Sequence, residues 1–183
     1  MAKKSPCIPS PVDVVRIRRR NLLLRRDYGS LLIKIVAMAI CGWIVFTQVF
    51  MLTQCVGMGM FPAIEDGDLV LVYRLQGEYD KGDVIAYRIQ EETFLGRIVA
   101  KASDVVYMDV IGILQINGSN QGGEIMYPTY AKPGTVYPFE VPDGTVYVLG
   151  DYRTQTEDSR DFGAVSMDDI QGKVITIVRR RGI

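Results

Sequence analysis

Glu65-Asp66-Gly67-Asp68-Leu69-Val70-Leu71-Val72-Tyr73 reads as a turn followed by a strand. Acidic residues and glycine at 65–68 favour reversal of the chain, and the run after them is branched and aromatic. The same grammar returns at Tyr79-Asp80-Lys81-Gly82-Asp83, followed by Val84-Ile85-Ala86-Tyr87-Arg88-Ile89. Both runs are apolar at most positions, as expected of strands covered on two faces. Phe94 to Ala100 predicts a third strand. Val105 to Asn117 predicts two short ones, with Asn117-Gly118 as a hairpin turn. Val146-Tyr147-Val148-Leu149 and Val174 to Val178 complete the set. Residues 118–140, rich in Gly, Pro and Tyr, read as an inserted loop, and Gly150 to Gly163 as a segment too polar and turn-rich to be core. No sustained helical period follows Pro62, and there is no internal repeat. Residues 55–183 therefore predict a mainly β, antiparallel domain, long enough to bury a core without disulfide staples.

Upstream the pattern changes. Residues 35–52 carry no charge, and a helix of that length spans about 27 Å, close to the hydrocarbon thickness of a bilayer. Extension at both ends predicts a transmembrane helix over 31–54, with Lys34 snorkelling to the interface. Residues 1–34 hold nine Lys/Arg against Asp13 and Asp27, whereas the remainder holds 12 basic and 19 acidic residues. The formal net charge of zero hides this split. A basic arm over 1–30 beside an apolar span predicts a cell-membrane protein with a cytoplasmic N-terminus and an extracellular C-terminal domain. The lipid bilayer is then a partner, and no nucleic acid is expected, because the arm runs straight into the span. Cleavage as a secretory signal is the rival reading. The long basic region and the lack of a small-x-small site argue against it, and Leu52-Thr53-Gln54-Cys55 is only a faint lipoprotein box.

Histidine is absent. That excludes Ser-His and Cys-His catalysis and His-ligated zinc, and no metal or cofactor is expected. Cys7, Cys41 and Cys55 fall before, inside and after the span, so no disulfide framework is expected.

Four segments resemble the type I signal peptidases in order and spacing. They are Gly57-Met58-Gly59-Met60-Phe61-Pro62; Gly67-Asp68-Leu69-Val70 with Gly82-Asp83-Val84-Ile85; Gly96-Arg97-Ile98-Val99-Ala100; and Gly150-Asp151-Tyr152-Arg153-Thr154-Gln155-Thr156-Glu157-Asp158-Ser159-Arg160-Asp161-Phe162-Gly163. The fourth matches the family's Gly-Asp-Asn-Arg-x-x-Ser-x-Asp-Ser-Arg box at most positions, with Tyr152 for Asn and Thr156 for Ser. The resemblance implies an antiparallel signal-peptidase-like β ectodomain on one N-terminal membrane helix. It also implies a Ser-Lys dyad, in which burial lowers the lysine pKa so that the neutral amine takes the serine proton. The Ser precedes the Met of the first box and the Lys precedes the Arg of the third. Gly59 and Gly96 stand there instead.

The expectation is therefore a pseudoenzyme. Gly57, Met58, Met60, Phe61 and Pro62 are expected to line a peptide groove; alternatively Met60 and Phe61 pack on the bilayer surface. Asp151, Arg153, Thr156, Asp158, Ser159 and Arg160 are expected to form a structural charge network. A relocated dyad through Ser159 or Lys101 is the competing reading, but an odd offset from Gly96 turns Lys101 away unless a bulge intervenes. The profile is similar to signal-peptidase-like accessory proteins of Gram-positive pilus clusters. By that resemblance the partners are pilin subunits or a pilus-class sortase. An active peptidase with unusual residues, and a membrane subunit that does not use the groove, are the alternatives.

Overall fold

The structure, a computed structural model, describes residues 11–122, 127–133 and 135–179, with side chains from residue 27 onward. A single helix, α1 (Pro11–Val49), opens it. Proline suits a first helical turn, where its missing N–H is not needed. The expected arm is therefore already helical from residue 11, because residues 12–28 contain neither Gly nor Pro and Arg and Leu favour helix; residues 1–10, with Cys7, lie outside the described residues. Among the described residues Asp27–Val49 is long and apolar enough to cross a membrane, about 34 Å at the helical rise. It starts and ends earlier than the expected 31–54. Phe50–Gln54 forms strand β1 instead, pairing antiparallel with β2 (Leu69–Tyr73) from Phe50 opposite Tyr73 to Gln54 opposite Leu69. The pairing gives these residues ladder partners and sets the Phe50 and Tyr73 rings 5.7 Å apart. Residues 1–47 and 48–183 are separate compact units.

The second unit is built of antiparallel strands. The others are β3 (Val84–Ile89), β4 (Glu92–Lys101), β5 (Val105–Met108), β6 (Leu114–Ile116), β7 (Ser119–Asn120), β8 (Phe139–Glu140), β9 (Thr145–Leu149), β10 (Val165–Ser166) and β11 (Ile170–Val178). They form a seven-stranded sheet in the order β1-β2-β11-β3-β4-β9-β10 and a four-stranded sheet in the order β7-β6-β5-β8. The strands expected at 69–73 and 84–89 are found with those bounds. The Asn117-Gly118 turn joins β6 to β7 with both residues at positive φ, the conformation that selects Asn-Gly for a two-residue hairpin. β3 and β4 are joined by Gln90-Glu91 in the same left-handed geometry, without the glycine that would have announced it.

Apolar side chains divide into three clusters about the large sheet. Val70, Val72 and Ala86 are covered by Cys55, Met60 and Ile64 from the connection between β1 and β2. Ile85, Tyr87, Ile98, Val146 and Val148 pack with Val165 and the half-buried Phe162. Val99, Ala100, Tyr147 and Leu149 face Val106, Met108 and Leu114 of the small sheet. Strand β11 slips register twice as it passes from β3 to β2. Gly172 sits at one slip with φ 152°, where a Cβ would overlap the Tyr73 carbonyl.

Asp104 ties the small sheet to β4. It accepts from the Lys101 amide at 2.7 Å, the Lys81 ammonium at 2.9 Å and the Asn117 side chain at 2.7 Å. Burial pushes this carboxyl up, but those three donors outweigh it and hold it below its usual value. Such a group stabilises the fold in full above its unfolded pKa of ~3.9, and the contribution drains away as pH falls through the lower folded value. Asp104→Asn should cost about 1–3 kcal/mol at neutral pH, and its difference from the parent should shrink on acidification. Urea unfolding at several pH values measures both.

Candidate functional site

Strand β4 pairs with β3 from Glu92 to Arg97, but with β9 only from Arg97 onward. Its first half therefore presents an unpaired ladder edge. Opposite runs the segment that leaves β1, and between them lies a groove of about 430 Å³. Thr53 to Met60 form one wall, Glu92 to Leu95 another, and Gln155 to Glu157 the floor end. Four consecutive β4 residues can all line one groove only if the strand's edge, rather than one face, forms the wall.

Gly57, Met58 and Gly59 stand on the groove as expected. Met60 borders it, but its side chain is only 1% exposed and packs against Ile64 and Val70, so it neither faces a bilayer nor reads a peptide. Phe61 and Pro62 are not on the groove. Phe61 sits edge-on to Tyr152, 6.1 Å between ring centres, and Tyr127 flanks Tyr152 at 4.7 Å. The sequence offered no sign of this aromatic trio, because Tyr127 lies in the inserted loop and Tyr152 replaces the family's Asn.

Gly59 and Gly96 both come close to Leu149-Gly150: a Cβ at 150 would stand 2.6 Å from the Gly59 carbonyl, and one at 96 near the Leu149 carbonyl. The Gly59 carbonyl accepts from the Tyr152 amide at 3.0 Å. A Cβ at 59 would stand 3.0 Å from the Thr156 methyl. A Cβ at 96 would stand 2.5 Å from a Val148 methyl, 3.2 Å from the Tyr87 ring and 3.5 Å from the Leu149 carbonyl. Val148 and Tyr87 are almost wholly buried. The space a lysine at 96 would need is thus occupied by branched and aromatic side chains, and branched valine yields little about χ1. The Thr156 hydroxyl is turned away from Gly59, donating to Asp158 Oδ2 at 3.0 Å and to the Tyr152 carbonyl at 3.3 Å.

Gly150 to Gly163 departs most from expectation. The segment is polar, yet Asp151, Arg153, Thr156, Asp158, Ser159 and Arg160 are all buried. Every buried charge among these six finds donors or acceptors, which is what permits burial. Arg160 clasps Asp158 through Nε at 2.9 Å and Nη2 at 2.8 Å, and its Nη2 also donates to the Arg153 carbonyl at 2.6 Å. Asp158 further accepts from the Gly150 and Arg160 amides and caps the short helix α2 (Ser159–Phe162), while Asp161 returns a bond to the Asp158 amide. Ser159 accepts from the Val148 amide at 2.9 Å, so its hydroxyl serves the scaffold. Asp151 forms a bidentate pair with Arg97 at 2.8 and 2.6 Å. Arg153 makes no such pair. It donates to the Gly150 carbonyl and the Thr129 hydroxyl, its Nη2 has no partner among the described residues, and burial lowers its pKa to about 10. It remains a cation at neutral pH.

Lys101 also differs from the parity expectation. A bulge between Ile98 and Ala100 restores it to the face of Gly96, since Lys101 pairs with Val146 and Gly96 with Ile85, members of one cluster. It is engaged there by Asp80 at 3.3 Å, at the far end of the strand. Neither half of a relocated dyad is brought together.

Residues 25–179 match the signal peptidase family, peptidase S26. Signal peptidase I of Bacillus caldolyticus is 30% identical over 137 residues, covering 64% of this chain and 73% of that protein. The inactive signal peptidase IA of Staphylococcus aureus strain N315 is 25% identical over 147 residues, covering 72% and 81%. A solved signal peptidase I from Enterococcus faecalis V583 superposes with a TM-score of 0.45 at 24% identity, over 54% of this chain and 97% of that one. The order of the motifs, the antiparallel sheets and the match over most of the length give one conclusion: the chain belongs to the signal peptidase family, peptidase S26.

Proposed function

We propose that this chain is a non-catalytic signal peptidase homologue that holds an extended segment of a secreted protein without cutting it. The carrying observation is the filled space at Gly96: Val148 and Tyr87 pack where a general base would stand. Glycine at 59 supplies no nucleophile, and an oxyanion pocket without one has no covalent step to stabilise. What remains suited to a ligand is the unpaired edge of β4 beside the groove, the geometry of strand addition. The inactive staphylococcal relative supports the same direction.

The basic N-terminal region and the apolar stretch Asp27–Val49 support a single-pass anchor with the N-terminus cytoplasmic and the β domain outside. In that setting the chain acts as an accessory factor or chaperone in sortase-dependent pilus assembly, its partners being pilin subunits or the sortase. This last step rests on resemblance to pilus-cluster accessory proteins. Deleting the protein in its host tests it. Loss of pilus polymer with normal signal-peptide removal is the expected result, whereas accumulated unprocessed precursors would point to a peptidase.

Restoring the dyad residues should not restore cleavage. Gly59→Ser asks Thr156 to shift by a few tenths of an ångström and should be tolerated. Gly96→Lys must displace Val148 and bury an amine, and overpacking alone costs about 1–3 kcal/mol. A fall of roughly 2–12 °C in Tm is expected for Gly96→Lys, partly relieved by Val148→Ala. Cleavage of a signal-peptide substrate by the Gly59→Ser/Gly96→Lys double variant, at a rate typical of a peptidase, would count against the reading.

The clasp of Asp158 by Arg160 is a scaffold device. Asp158→Ala leaves a buried guanidinium uncompensated and should destabilise by about 3–5 kcal/mol. Calorimetry on the purified variant checks this; a near-neutral effect would assign the box to partner contact instead.

A further inference from the structure

We infer that the occupant of the groove is an extended segment carrying basic side chains. This rests on the reading of the groove as a peptide site and names its class of ligand. Two charged residues line the groove, Glu92 on the β4 edge and Glu157 beyond Thr156, and no Lys or Arg lines it. Among the described residues neither carboxylate is ion-paired or hydrogen-bonded through its side chain. Two cations touch the groove residue Thr156 and both are committed elsewhere: Lys132 donates to its carbonyl and pairs with Asp161 at 2.5 Å, and Arg160 reaches its hydroxyl at 3.3 Å while clasping Asp158. Two carboxylates thus flank a path whose backbone edge calls for an extended chain, and the groove contains nothing to neutralise them. An incoming ammonium or guanidinium supplies that charge.

Position and field agree. Glu92 pairs with Ile89 next to the Gln90-Glu91 turn, so a third acidic residue, Glu91, stands at the same end of the edge. Beyond residue 34 the chain holds 19 acidic against 12 basic residues, a surplus that draws cationic segments from solution. Charge complementarity selects the partner here, while the backbone ladder supplies contacts that any sequence can make.

The test uses the full chain in nanodiscs of zwitterionic lipid, so that bilayer charge does not compete. Three labelled decapeptides of alanine, valine and threonine carry, at two alternate central positions, lysine, glutamine or glutamate. Fluorescence anisotropy should find the lysine peptide bound about five-fold more tightly than the glutamine peptide, from two exposed ion pairs, with the glutamate peptide weakest. High salt and the Glu92→Gln/Glu157→Gln double variant should each bring the three together. A lysine preference that survives the double variant overturns the assignment to these carboxylates. Equal affinities that are still lost on Met58→Trp, which fills the groove, overturn the charge preference and leave the peptide site standing. Absence of binding by all three overturns both.

Discussion

The clasp of Asp158 by Arg160 holds together parts of the chain that share no strand pairing. Through one carboxylate and one guanidinium it fixes the Gly150 amide, the Arg153 and Tyr130 carbonyls, the Thr156 hydroxyl and the start of α2. Ser159, next in sequence, ties the same unit to β9. A buried ion pair adds little net stability against an apolar alternative, but it fixes geometry, because each partner is costly to leave unmatched. Here it ties down Gly150 and Thr156, which stand close to Gly59, beside the Val148 that packs toward Gly96.

The strands were legible because their physics is local. Leu69–Tyr73 and Val84–Ile89 announce themselves by branched residues bounded by Gly-Asp turns, and the hairpin at Asn117-Gly118 by a dipeptide that favours its geometry. Three things were hidden. The membrane-length helix gives way at Phe50 because β2 offers a pairing partner, a long-range fact. The polar box is buried because its charges satisfy each other, which composition cannot express. Met60 belongs to the core because Val70 and Ile64 meet it there, although Gly57 to Gly59 just before it stand on the groove.

The candidate site was legible in its absences. Two glycines in a recognisable frame give the positions where side chains are lacking. They do not reveal what fills the space, since Val148 and Tyr87 lie on other strands and are ordinary strand residues. The β4 edge was equally invisible: it follows from β9 ending its pairing at Arg97, which is a matter of sheet order and strand length. The groove and the filled base position are thus two products of the same strand. Its first half is left open by β9, and at Gly96, beside the point where β9 joins, it is packed shut.

The close approach of Val148 to Gly96 also constrains the order of substitutions. A single codon change at either glycine is a small step in sequence, but a step at 96 lands on a valine that has no room to move. A lysine at that position asks residue 148 to shrink first. Packing of this kind works as a ratchet: where neighbours close over a small residue, the order in which substitutions are tolerated differs between shrinking a side chain and enlarging it.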